Sequence, residues 1–254
     1  MAITIKSERE IELMAEAGKI LERLHNELEK ALHPGMSTKD IDTLGEEIIR
    51  SYGCIPSFLN YNGYPASICV SVNQEVVHGI PDKHRIIHEG DIVSLDAGVI
   101  YKGYHSDAAR THAVGEVSEE AKKLIQVTKE CFFEGIKYAK AGNHLFDISG
   151  AIGRYAEERG YGVVRDLCGH GIGTALHEAP EIPNYEVGRK GVKLRPGMTL
   201  AIEPMINIGT YEVDWLDDDW TVVTRDGSLS AHYENTILIT EGEPRILSLT
   251  CDNE

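Results

Sequence analysis

The chain has 254 residues, 42% hydrophobic and 26% charged, the composition of a soluble globular protein long enough for one large domain or two small ones. Lys and Arg number 25 against 41 Asp and Glu, a formal net charge of -16. That is the wrong sign for a protein that grips a phosphate backbone, and it suits one that holds multivalent cations. Five cysteines (Cys54, Cys69, Cys131, Cys168, Cys251) with no C-x-x-C pair, no apolar signal core in "MAITIKSERE" and no run of about 18 apolar residues exclude a disulfide framework, secretion and membrane insertion, leaving the cytoplasm as the expected compartment.

In chain order, the first predicted element is a helix from Ser7 to Leu32. Ser7 and Glu10 form a capping box, and Ile11, Met14, Ala15, Leu21, Leu24 and Leu28 share one stripe. His33-Pro34-Gly35 stops it, and a second helix opens near Ser37, carrying Ile41, Leu44 and Ile48 toward Tyr52-Gly53. The same order recurs from Ser118: an amphipathic stretch (Ala121, Leu124, Ile125, Thr128, Phe132, Ile136) runs to Ala141-Gly142. A further one (Phe146, Ile148, Ile152, Tyr155) runs to Gly160.

Residue echoes support a duplication. Gly35-x4-Asp40-Ile41 matches Gly142-x4-Asp147-Ile148, and "EGDIVSLD" (89–96) matches "PGMTLAIE" (196–203), each at an offset of 107; "VHGIP" parallels "GHGIG" at the smaller offset of 92, which implies an insertion later in the second half. The chain therefore reads as one catalytic domain, 1–254, with halves of about 7–115 and 116–250, an α+β unit said twice with its site between the halves. Each echo alone would mean little, since short G-D-I patterns recur in helix-rich chains.

The stretch "DIVSLDAGVIYKGYHSDAART" alternates about a Lys102-Gly103 turn and predicts a β-hairpin. Asp96 and Asp107 lie almost level across it, and like charges so placed call for a cation between them. Glu203 occupies the repeat-equivalent position of Asp96 behind a buried strand pattern, and Glu234 sits in another strand pattern, "SAHYENTILIT". His170, flanked by Gly169 and Gly171, completes the set. A lone histidine or strand acid is more often packing or solvent-facing; five together make a hard, oxygen-rich site for two Mn, Fe or Co type ions rather than thiolate-bound structural zinc. Two such ions can share a water and polarise a carbonyl, which is hydrolytic chemistry.

The ordered set Asp96, Asp107, His170, Glu203 and Glu234, with "GHGIG" ahead of His177 and "NYNGYPASICVSVN" ahead of His78, closely resembles the type I methionine aminopeptidases over essentially the whole chain. The absence of a long insertion after His170 and of any extension before the first helix resembles their short bacterial form. The resemblance implies a pita-bread fold, two pseudo-symmetric α+β halves around a central antiparallel sheet. It also implies two divalent ions per chain, of the Mn, Fe, Co or Zn type: Asp96 would chelate one, His170 and Glu203 the other, with Asp107 and Glu234 bridging. The implied reaction is removal of the initiator methionine from nascent polypeptides with a small second residue, by a bridged water that attacks the scissile carbonyl. Glu203 would handle the proton of that water, and His78 and His177 would hydrogen-bond substrate and intermediate. Phe58, Tyr61, Tyr64, Cys69, Leu176 and Trp220 would line the methionine pocket. The implied partners are nascent N-termini, with the ribosome as a further one, acting on a monomer without membrane or specific nucleic acid.

Four positions depart from the family's habit: Phe58, Leu167, Leu176 and Asn235, where a smaller residue, two aromatics and a histidine are common. None removes a ligand, and Phe58 is expected to offset volume lost at Leu176. The acidic run 217–219 and the basic cluster Arg189, Lys190, Lys193 and Arg195 are expected to be solvated loops. A proline-directed relative, an X-Pro dipeptidase or aminopeptidase P, shares the five-ligand logic; those enzymes carry an N-terminal domain for which no room precedes Ser7. A binding module on the same fold would have lost ligands, and all five are present.

Overall fold

The computed structural model describes residues 3–249; Met1, Ala2 and Cys251 lie outside them. Among the described residues four α-helices form: α1 (Glu8–Ala31), α2 (Thr38–Ser51), α3 (Glu119–Ile136) and α4 (Leu145–Glu157). The Ser7–Glu10 capping box opens α1, and Ser118 caps α3. The two second helices start alike, with the Asp40 carboxylate accepting the Ser37 N–H at 2.9 Å and the Asp147 carboxylate accepting the His144 N–H at 2.8 Å. The apolar stripe of α1 buries Met14, Leu21, Leu24 and Leu28 against the central strands. Helix α3 stops at Ile136 rather than Ala141, because successive turns at Tyr138 to Asn143 replace the helical hydrogen bonds.

The predicted hairpin pairs Ile92–Tyr101 with Tyr104–Ala113 across a Lys102-Gly103 turn whose residues both take positive φ, 49° and 88°, the requirement of a two-residue hairpin turn that follows the strand twist. The register sets Asp96 opposite Ala109 and Gly98 opposite Asp107. The two aspartates thus share a face on the diagonal, one step from the level pairing that the sequence suggested. Strand Ile68–Val72 joins the other edge, with Cys69 opposite Asp96. In the second half Thr199–Ile202 lies between Gly169–Gly171 and Asn235–Leu238, all antiparallel.

Among the described residues the strands form four hydrogen-bonded sets. Two of the breaks fall at functional candidates. Glu203 and Pro204 interrupt the run between Thr199–Ile202 and Met205–Asn207, and Tyr233 and Glu234 interrupt the pattern expected to be one strand, leaving Ser230–His232 and Asn235–Leu238. Proline has no N–H to give a ladder.

The halves meet reciprocally. Ala109 and Glu234 exchange backbone N–H···O bonds of 3.4 and 3.0 Å. The Thr236 hydroxyl accepts from the Asp107 N–H and donates to its carbonyl, and the Thr111 hydroxyl does the same for His232. Such mutual contacts mark a local two-fold axis, which makes His232 the counterpart of Asp107. The offset of 107 also reappears in hydrogen bonds: Gly35 donates to the Ile87 carbonyl, and Gly142 to that of Leu194. The third echo is not an equivalence. His170 pairs with Ala201, whereas the position 107 earlier, Ser94, pairs with Ser71; His78 instead follows strand Glu75–Val77 with a left-handed φ of 59°.

Candidate metal centre

Asp96, Asp107, His170, Glu203 and Glu234 come together on the inner face between the halves, all lining one cavity of about 130 Å³. Ligand atoms of Asp107, His170 and Glu234 lie within 4.8 Å of one another. His170 Nδ1 is 2.9 Å from its neighbour Gly171's carbonyl oxygen, so Nδ1 carries the proton and Nε2 presents a lone pair. That lone pair faces Asp107 Oδ2 at 3.9 Å and Glu203 Oε1 at 3.6 Å. Oxygens and a lone pair aimed at one another repel unless a cation lies between them.

The carboxylates say the same. Asp96 Oδ1, Asp107 Oδ1 and Glu234 Oε1 are buried without a hydrogen-bond partner, a costly state for ionised acids. Burial pushes Asp96 up to about 7. Burial, then the charge of neighbouring acids, raises Asp107, Glu203 and Glu234 well above the usual carboxylate range. Burial lowers His170 to about 3, with His177 adding to it, so its imidazole is neutral and free to ligate at neutral pH. Four carboxylates and one imidazole nitrogen, three of the acids with a buried oxygen short of a partner, fit hard divalent cations.

Most of the remaining cavity wall is apolar or aromatic: Phe58, Tyr61, Tyr64, Cys69, Leu176 and Trp220, with His78 and His177. These include every pocket residue that the sequence suggested. Gly98 lets Phe58 lie close to the hairpin, since a Cβ there would meet its Cε1 at 2.9 Å. Phe58 and Leu176 belong to one buried cluster, the arrangement that volume compensation requires. Trp220 arrives on the hairpin of Val213–Trp215 and Val222–Thr224 and packs edge-on to Tyr64, ring centroids 5.1 Å apart. The acidic run at the tip of that hairpin is exposed, as is the basic cluster near Arg189. The Tyr64 hydroxyl donates to the Gly79 carbonyl at 2.9 Å, beside His78.

The two histidines of "GHGIGTALH" stand 4.2 Å apart between ring centroids. Tyr61 Oη lies 3.1 Å from His177 Nδ1. Burial lowers His177 and takes His78 to about 4, His177 adding to the latter. A second hollow, about 470 Å³, shares His170 and His177 and continues past Cys168, Glu178 and Glu181.

Sequence reasoning missed four residues at this centre. Asn62 lines the cavity. His105, buried, sits 3.0 Å from the Ser57 hydroxyl; its period-2 spacing from Asp107, which sets both on one face of the strand, was the available signal. Arg110 donates through Nη1 to the carbonyls of Ala109 and Glu234 and through Nη2 to Asn235 Oδ1 at 2.6 Å, so the unusual Asn235 serves as an acceptor for a buried guanidinium. His232 is buried two residues before Glu234; spacing of two along a strand was the available signal.

Metallopeptidase family M24 matches residues 12–241. The methionine aminopeptidase of Clostridium acetobutylicum is 59% identical over 247 residues, 97% of this chain and 99% of that enzyme. The solved methionine aminopeptidase of Thermotoga maritima superposes with a TM-score of 0.96 at 47% identity, covering 98% of this chain and all (100%) of that one. A Xaa-Pro dipeptidase from Bacillus anthracis superposes less well, with a TM-score of 0.77 at 27% identity, over 97% of this chain but 62% of its own. On sequence and fold together, the chain belongs to metallopeptidase family M24 and, within it, to the methionine aminopeptidases.

Proposed function

We propose that this chain removes methionine from peptide N-termini, nascent polypeptides among them, by metal-dependent hydrolysis, with a small second residue preferred. The observation that carries the reading is the juxtaposition, in one cavity, of four acids, three of them buried with an oxygen lacking a partner, and a neutral imidazole with a wall of aromatic rings and a thiol. Polarizable and aromatic groups are good neighbours for a thioether. Asp96, Asp107, His170, Glu203 and Glu234 would hold two divalent cations, and the chemistry these would supply is polarisation of the scissile carbonyl and acidification of water.

The protein's own groups do the rest. The cavity accepts one unbranched side chain, and the remainder of the peptide leaves past His170 and His177 along the neighbouring hollow. His78 and His177, neutral at neutral pH, offer N–H donors to the carbonyl oxygen as charge develops on it. Tyr61 orients His177 through Nδ1. Glu203 takes on its carboxylate the proton that the attacking water gives up and passes it to the leaving amine. Closure of the apolar wall excludes bulk water from the reacting carbonyl.

The test is to strip metal with chelator, restore single ions, and assay a Met-Ala peptide for wild type, His170→Ala and His177→Ala. The proposal expects His170→Ala to lose metal, and His177→Ala to keep metal and lose kcat. Equal metal loss in both variants contradicts the division of roles, and full activity after chelation contradicts metal dependence.

A further inference from the structure

We infer that His232 is a positioning residue for the metal centre, its Nε2–H fixing the outward oxygens of Glu203 and Glu234. This rests on the metal-site reading above and assigns a group that reading leaves unused. His232 is 1% exposed, and neither ring nitrogen has a hydrogen-bond partner. A buried imidazole with both nitrogens idle is costly, so another state of the site is expected to use it. Its Nε2 faces two carboxylates, Glu203 Oε2 at 3.8 Å and Glu234 Oε2 at 3.9 Å. Toward carboxylate acceptors Nε2 serves as the protonated, donating nitrogen.

The two oxygens of Glu203 are thereby divided. Oε1 faces the His170 lone pair, and Oε2 faces His232. All five candidate ligands line the central cavity and His232 does not, which assigns it a donor's role rather than a ligand's. At 3.8 to 3.9 Å these contacts are longer than hydrogen bonds, and a small rotation of a carboxylate closes either one. The backbone cannot supply that adjustment, because His232 is anchored at N–H and carbonyl by the Thr111 hydroxyl. The local two-fold axis explains why a polar group sits there at all: the position is the counterpart of Asp107, and one half supplies the ligand while the other supplies a donor that orients ligands.

The experiment compares wild type, His232→Leu and His232→Gln, the last retaining a side-chain N–H donor. Calorimetric titration of chelator-stripped protein with Mn2+, unfolding temperature of the metal-free protein, and kcat and KM on a Met-Ala peptide are measured for each. His232→Leu is expected to weaken Mn2+ binding about 10- to 100-fold and to lower kcat with KM little changed. It should leave the metal-free unfolding temperature equal or raised, since an unpartnered buried imidazole has gone. His232→Gln is expected to recover both binding and kcat. Unchanged Mn2+ affinity and kcat in His232→Leu, a metal-free protein destabilised in parallel with its metal affinity, or a Gln variant no better than Leu would each overturn the assignment. Wild-type protein that took up no Mn2+ would overturn the metal-site reading itself, and this inference with it.

Discussion

Neutralising Asp96 should stabilise the metal-free protein while abolishing its full metal uptake. Burial raises the Asp96 carboxyl from 3.8 to about 7, which at about 1.4 kcal/mol per pH unit corresponds to about 4 kcal/mol. Because the folded-state value lies above the unfolded one, this contribution is fully present below about pH 4 and is lost as pH rises through about 7. Metal-free wild type should therefore weaken as pH rises, and Asp107, Glu203 and Glu234 act with the same sign. Asp96→Asn removes one such group and part of the repulsion on its neighbours. Its advantage over wild type should approach about 4 kcal/mol near pH 8, about 10 °C in unfolding temperature for a chain of this size, and vanish near pH 4. Unfolding of chelator-treated protein across this range, followed by circular dichroism, measures the gap. An Asp96→Asn protein no more stable than wild type near pH 8, or a gap that grows toward acid, would refute the reasoning.

Asp107→Asn or Glu234→Gln should bind less than the full complement of metal and lose turnover, since each removes an anionic oxygen from the crowded centre; elemental analysis with kcat checks this. Tyr61→Phe removes the hydroxyl 3.1 Å from His177 Nδ1 and should lower kcat about 3- to 10-fold at unchanged metal content, an effect set by one neutral hydrogen bond. Arg110→Met strands the carbonyls of Ala109 and Glu234 and the Asn235 amide oxygen. It should cost about 2–4 kcal/mol in urea unfolding, and retained stability would deny that this guanidinium ties the halves together.

The parts of this structure that depend on local pattern were readable in the sequence. The capping box at Ser7, the helix openings near Ser37 and Ser118 and the Lys102-Gly103 hairpin are each written in a few adjacent residues, and the structure forms them there; the offset of 107 recurs in the hydrogen bonds of Gly35 and Gly142. Five acids and imidazoles were identifiable because like charges near one another demand a cation. What stayed hidden depends on register and on long-range pairing. The one-step diagonal of Asp96 and Asp107, the break at Glu234 and the false echo of His78 with His170 are settled only by which strand meets which. His232 and Arg110 escaped notice for the same reason: an imidazole or a guanidinium in a strand looks like surface until the partner half covers it.

Methionine-specific cleavage at this centre is measured by kcat/KM on Met-Ala, Met-Lys and Ala-Pro peptides of equal length, with metal-loaded wild-type protein. One methylene is worth only about 1–3 kcal/mol in an apolar pocket, so a norleucine peptide should compete while charged or branched first residues fail. The account predicts efficient cleavage of the Met-Ala peptide, a much lower value for Met-Lys and none for Ala-Pro; preferred cleavage of Ala-Pro would contradict it in favour of a proline-directed enzyme.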